Sequence, residues 1–376
     1  MGPLSALKVI ELAGIGPAPM ATMLLADLGA EVLRIARPAT PTDGLPFDAS
    51  RSLLNRGKTT IELDLKQPED VATALALIEC ADVLVEGFRP GVTELLGLGP
   101  KECHARNPRL VYGRVTGWGR IGPLADVAGH DLNYIAMAGV LAAIGPRDGK
   151  PSIPLNLLGD FGGGALYLVF GIMAALFERQ TSGKGQVVDS SMIDGVASLM
   201  TTFFGQRAAG SLQLSRESNL VDGGAPFYDV YRTLDGQWVS IAAIEPKFFG
   251  TLVEALDLDR AFIARQYDRA AWPAMRTAFE RVFASRTRDH WSELLALRDC
   301  CFAPVLTLDE SPHHAHHVAH GTYVVIDGVV QSAASPRFDR TPATTPGKVQ
   351  APTPLVTVLR RWGVAEHRKP DEGNDR

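Results

Sequence analysis

Over roughly its first 120 residues the chain alternates strand-like and helix-like segments, and this alternation restricts the fold more than any other feature. Leu7–Leu12 reads as a strand, Ala18–Leu28 as a helix and Glu31–Ala36 as a second strand. Thr59–Leu65 follows as a third strand, Glu69–Ile78 as a helix opened near Gln67-Pro68, and Asp82–Phe88 and Arg109–Thr116 as two further strands. Strands joined through helices on this spacing build parallel sheets with helices on their faces. The expected fold class is α/β, with a Rossmann-like large domain.

Further along, Asn156–Gly164 is a glycine-rich turn leading into an apolar helix over 164–180, which Thr181-Ser-Gly-Lys-Gly185 closes with glycine at its C-terminus. Val187–Ser191 reads as a strand and Met192–Arg207 as a helix. From about 215 to 315 the pattern changes: strands Tyr228–Thr233 and Trp238–Ala242 flank the turn Asp235-Gly236, and helices rich in aromatic and charged residues follow. That stretch is expected to form a smaller α+β domain. Ala334–Pro354, rich in Pro, Thr and Ser, is expected to run extended over the surface.

Composition narrows the function classes. A net charge of −5 without any Lys/Arg run gives no electrostatic reason to expect nucleic acid. The longest apolar stretch, Ala165–Phe177, is too short to span a bilayer, so no membrane association is expected. The start carries neither a signal-peptide nor a transit-peptide pattern, and the terminal Gly-Asn-Asp-Arg matches no retention or peroxisomal address. A cytoplasmic location is the expectation. Four cysteines (Cys80, Cys103, Cys300, Cys301) without a CxxC are expected to be reduced thiols.

The first strand-turn-helix, Glu11-Leu-Ala-Gly-Ile-Gly-Pro-Ala-Pro19, is a poor dinucleotide fingerprint: Gly14 and Gly16 fit, but two prolines intrude and a third glycine is absent. Where a ribose-binding acid belongs, after the second strand, stands Arg37. Arginine suits a phosphate there, either the 2′-phosphate of NADP or the 3′-phosphate of coenzyme A. The alternative for Arg34, Arg37, Lys58 and Lys66 is that each is a solvated surface charge.

Two acid–base candidates lie on glycine-framed turns: His130 in Ala128-Gly-His-Asp-Leu-Asn-Tyr134 and Asp160 in Leu158-Gly-Asp-Phe-Gly-Gly-Gly164. Glu245 in Ala243-Ile-Glu-Pro246 is a third candidate. Two bases facing one carbon from opposite sides are what a racemase or epimerase needs, one removing a proton and the other returning one. Asp160 is equally placed to cap a helix. Gly162, Gly163 and Gly164 either offer bare N–H groups to a developing oxyanion or permit close helix packing. His313-His-Ala-His-His-Val-Ala-His320 has helical ligand spacing, but no acid or cysteine completes a site, and no metal is expected.

These stretches resemble the α-methylacyl-CoA racemase branch of the family III CoA-transferase superfamily. The likeness runs over roughly residues 4–310 through Val9–Pro17, Ala26–Ala30, Gly87-Phe-Arg-Pro-Gly-Val92, Leu96–Pro100, Ala128–Tyr134 and Pro154–Gly164. It continues through Gly183–Val187, Asp222–Tyr228, Ala243–Pro246 and Cys301–Leu306. The resemblance implies an acyl-CoA thioester substrate, no separate cofactor, and epimerisation of a 2-methylacyl-CoA through an enolate. His130 and Asp160 would be the bases, Glu245 of the partner subunit would orient the imidazole, and Arg89 would lie near the coenzyme A moiety. Contacts to coenzyme A would come from Arg37, Leu63, Asp64, Leu65, Lys66, Gly129, Asp131, Leu132, Asn133 and Tyr134, with Gly162 and Gly163 at the oxyanion. Met20, Met23 and Met137 are each expected to pack in the core, with softening of an acyl-binding surface as the alternative.

The resemblance further implies an interlocked homodimer. Its large domain, 1–186, would be completed by about 318–376, with a helical linker at 187–215 and a small domain at 216–317. A transferase of the same superfamily, using Asp160 as nucleophile, is the nearest rival. A non-catalytic acyl-CoA binding protein and an NADP oxidoreductase stand further off.

Overall fold

The computed structural model describes residues 2–38 and 52–364. Residues 39–50 and the terminal Gly-Asn-Asp-Arg lie outside them. The strand-helix alternation forms a six-stranded sheet from β1 (Lys8–Leu12), β2 (Glu31–Ala36), β3 (Thr59–Glu62), β4 (Val83–Glu86), β5 (Val111–Thr116) and β6 (Val187–Ser191). All neighbours pair in parallel, in the order β3-β2-β1-β4-β5-β6. The order reverses between β1 and β4, and at such a switch point the C-terminal strand ends leave a crevice.

Period-two side-chain alternation explains why both faces of this sheet are buried. Ile10, Leu12, Leu33, Ile35 and Leu84 face one core, which the Pro68–Glu79 helix covers through Ala74, Leu77 and Ile78. Val9, Val32, Val83 and Val85 face the other, covered by Ala18, Ala21 and Leu25 of Pro17–Asp27 and by Leu168, Ile172 and Ala175. Each such fully buried aliphatic side chain contributes roughly 1.5–3 kcal/mol. Both Pro17–Asp27 and Pro68–Glu79 begin with proline, which lacks only a donor that the first turn leaves unpaired.

The C-terminal segment returns to this unit. Val358, Leu359 and Trp362 of the Leu355–Trp362 helix join the first core, and Thr353 N donates to Thr60 O at 2.7 Å. Arg56, 2 % exposed, ties Asp27 to Gln331 and Ser332 on the antiparallel hairpin of β10 (Tyr323–Ile326) and β11 (Val329–Ser332).

The chain divides into two compact units: Met1–Ala138, Pro154–Leu199 and Val318–Arg376 form one, Gly139–Ile153 and Met200–His317 the other. The 187–215 segment departs from a plain helical linker, because Val187–Ser191 is β6 and its two helices, Met192–Leu199 and Thr201–Ala208, fall in different units. In the second unit β7 (Tyr228–Arg232), β8 (Trp238–Ala242) and β9 (Phe302–Pro304) pair antiparallel over an aromatic core that includes Phe227, Tyr231, Phe249, Phe279 and Phe283.

The apolar stretch thought too short for a bilayer belongs to a longer helical run, Leu157–Ser182, of 26 residues, sufficient in length and apolarity to cross one. One face of this run packs on the sheet through Leu168 and Ile172, which sit where Gly113 of β5 leaves room.

Candidate active site

β1 leads through Gly14 and Gly16 into the Pro17–Asp27 helix at the C-terminal edge of the sheet. Gly16 has φ 72°, a left-handed conformation that glycine adopts without penalty. A Cβ there would stand 3.1 Å from Asp160 Oδ2, so this bare turn borders the carboxylate.

Asp160 lies in the first turn of a π-helix, Leu157–Leu166, that precedes the α-helix Tyr167–Ser182. π-Helical turns are uncommon and concentrate at functional sites. Glycines allow this one. A Cβ at Gly163 would meet Val196 N at 2.8 Å, and one at Gly195 would meet Gly163 O at 2.0 Å, so the π-helix and the Met192–Leu199 helix touch backbone to backbone. Asn156 Nδ2 donates to Asp160 Oδ2 at 2.9 Å. Burial pushes the Asp160 carboxyl above the ordinary aspartate value, the Asn156 amide pulls it back, the Asp131 charge adds to the rise, and His130 opposes it.

His130 caps the helix Asp131–Met137 and is exposed. Its N–H donates to Asn133 Oδ1 at 3.1 Å. The turn is held from behind by Tyr134, whose hydroxyl donates to the Gly129 carbonyl and whose ring meets Trp118 edge-on at 4.7 Å. Burial raises the Tyr134 phenol, the Asp160 charge adds to this, and the Arg89 charge opposes it, which sets Arg89 electrostatically against the same group. Arg89 itself is exposed, on the turn after β4.

Asp131 joins the two turns. Its Oδ2 accepts the N–H groups of Gly159 at 2.6 Å and Asp160 at 2.7 Å. His130, Asp131, Asn133, Tyr134, Gly129, Arg89 and Asp160 are thus gathered at one place. Asn156, Gly16 and Gly159 belong there too, though the sequence reading places them only in turns and assigns none of them to the site. The four-residue step from Asn156 to Asp160, one helical turn, was the signal that could have found the first.

Other expected residues sit differently. Gly162 and Gly163 are not free oxyanion donors: both lie past the first turn, inside the helix, and Gly163 is buried against Val196 and Met192. Leu63, 2 % exposed, belongs to the hydrophobic core, so its side chain is out of reach of a ligand. Asp64 accepts from Lys66 N and Gln67 Nε2, organising the turn before Pro68–Glu79, and Leu65 packs on the core. Asp131 is buried, whereas Leu132 and Asn133 are exposed. Arg37 and Lys66 are exposed beyond the C-terminal ends of β2 and β3. Lys58 is no solvated charge: it is fully buried and donates to Glu11 Oε2 at 2.6 Å, Thr22 Oγ1 and Pro19 O. Met23 is buried in the fold, while Met137 is exposed.

Glu245 lies in the second unit, exposed before the Pro246–Ala255 helix. The same unit contains an open cavity of about 780 Å³ lined by Arg147, Glu217, Arg269, Trp272 and Arg276, among others. It includes none of the expected site residues, and its arginine side chains are occupied by the Glu217 and Ser218 carbonyls and by Asp229. Among the described residues, no group of three His, Cys, Asp or Glu side chains is placed to hold a metal.

The comparisons with known proteins agree with this fold. A mouse α-methylacyl-CoA racemase is 41 % identical over 367 residues, covering 96 % of this chain and 94 % of the relative. A human α-methylacyl-CoA racemase is 42 % identical over 358 residues, covering 95 % and 89 %. The crystal structure of a CaiB/BaiF family protein from Brucella suis superposes with a TM-score of 0.80 at 27 % identity, over 96 % of this chain and 99 % of that one. The family model for CoA-transferase family III matches residues 4–357, and the chain belongs to that family.

Proposed function

We propose that this protein is an α-methylacyl-CoA racemase, interconverting the (2R) and (2S) forms of 2-methylacyl-CoA thioesters. One observation carries the reading: an imidazole and a desolvated carboxyl, His130 and Asp160, stand within electrostatic reach of each other on turns tied together by Asp131. The near-full-length relatives named as racemases support it.

The C2–H bond of the substrate breaks to one base, and its electron pair moves into the thioester as an enolate. The second base then delivers a proton to the opposite face of C2, and no atom or electron is gained overall. Raising a carboxyl toward the working pH improves it as a proton acceptor. The enolate oxygen needs donors. Among the described residues the N–H groups of Asp131 and Leu132, beside His130, have no partner and supply them. Arg37, Lys66 and Arg89, beyond the ends of β2, β3 and β4, fit the phosphates of coenzyme A.

The active form is a homodimer in this reading, with Glu245 of the partner subunit supporting His130. Its support is an uncovered apolar stripe, Leu166, Phe170, Met173 and Phe177, on one face of the long helix. Incubating one 2-methylacyl-CoA epimer in D₂O tests the function. Deuterium at C2 with loss of configuration is the expected result. Transfer of coenzyme A to a free acid without such exchange would assign a transferase instead.

A further inference from the structure

We infer that Asp131 is a positioning residue that sets the two bases at their working separation. The inference rests on the reading of His130 and Asp160 as those bases. Asp131 follows His130 directly and is the first residue of the helix that His130 caps. Its Oδ2 takes the N–H of Asp160 itself and that of Gly159, so one atom fixes the backbone of the second base from the neighbour of the first. The contact is shaped for: a Cβ at Gly159 would fall 2.6 Å from the same oxygen. With its side chain spent on Gly159 and Asp160, Asp131 has only its backbone left to meet the thioester.

The second carboxylate oxygen, Oδ1, is buried without a hydrogen-bond partner. An anchor alone does not require a charge, because an asparagine oxygen accepts the same two N–H groups. A buried charge left half-satisfied calls for a reason. Here the reason is its neighbour, since the Asp131 charge raises the Asp160 carboxyl. Asp131 therefore acts twice: through geometry on both bases, and through charge on one.

The test compares Asp131→Ala and Asp131→Asn with wild type, alongside His130→Ala and Asp160→Asn. Asp131→Ala should lower kcat for epimerisation on the order of 10²-fold, with KM for the thioester changing far less. Asp131→Asn keeps the acceptor and should recover much of kcat. It should still move the acid limb of kcat/KM to lower pH, for the epimer whose deuterium exchange survives in His130→Ala. That shift reads the charge even if Asp131→Ala fails to fold. Unchanged kcat in Asp131→Ala, a loss confined to KM, or an acid limb unmoved in Asp131→Asn overturns the inference. Full activity in His130→Ala or Asp160→Asn overturns instead the base assignment beneath it.

Discussion

The two base-bearing turns are built by opposite means. His130 stands open to solvent on a helix cap braced from behind by aromatic rings, Tyr134 on Trp118. Asp160 is half-buried in a widened helical turn, hemmed by the bare backbone of Gly16 and the amide of Asn156. The contrast follows from the chemistry each group starts with. Imidazole ordinarily titrates near neutrality, whereas an aspartic acid ionises about three units lower and is a weak base at pH 7. Desolvation is therefore useful on the carboxylate side, and that is where the fold applies it. The general lesson is that a two-base site can be balanced by burying only the stronger acid.

The largest expected effect tests whether both turns act in chemistry. His130→Ala and Asp160→Asn should each slow epimerisation by roughly 10²–10⁴-fold. Each should retain C2 deuterium exchange for one epimer, and the two variants should retain opposite ones. NMR of the thioester in D₂O reads this directly. If both variants lose exchange of the same epimer, the turns do not serve opposite faces.

The next effect falls on stability and sharpens the difference in scaffolding. Gly117 has no room for a methyl, since a Cβ would lie 2.0 Å from the Tyr134 ring. Gly117→Ala should overpack the His130 turn and cost about 1–3 kcal/mol, measured as a shift in the urea midpoint. Gly16→Ala should cost a similar amount through left-handed strain, but its damage should fall on the Asp160 side. Its acid limb for the epimer that Asp160 deprotonates should shift, and that of Gly117→Ala should not. Equal shifts in both would mean the two turns are not separately tuned.

How much of this was legible follows from the range over which each signal acts. The parallel sheet was readable because strand-helix alternation is local, and β2 and β6 begin and end where the pattern places them. His130 and Asp160 stood out because glycines frame them. The buried ion pair of Lys58, neither a phosphate contact nor a solvated charge, was not legible because its partner, Glu11, lies 47 residues away and nothing near Lys58 announces it. The glycines at 162 and 163 posed a different problem. A helix packed backbone to backbone and an oxyanion donor ask for the same residue, and only the partner helix with Gly195 decides between them. The burial of the Leu63 side chain was hidden for a third reason: in a strand-end segment, successive residues face core and solvent, and a contact region named as a block ignores that alternation.

The smallest effect isolates the electrostatic half of the comparison. Asn156 hydrogen-bonds the ionised form of Asp160 and so opposes the rise that burial produces. Asn156→Ala removes that support, and the Asp160 carboxyl should hold its proton to still higher pH. The acid limb of kcat/KM should then move up for the epimer that Asp160 deprotonates, with less than about a tenfold change above the limb. Tyr134→Phe, on the other turn, removes a hydroxyl that donates only to the Gly129 carbonyl. It should cost about 1 kcal/mol of stability and leave the same limb in place. The two substitutions are of similar size and lie at the same site, so a limb that moves in Asn156→Ala alone assigns the titration to Asp160. A limb that moves in neither would place the controlling proton elsewhere and remove the burial of Asp160 from the account.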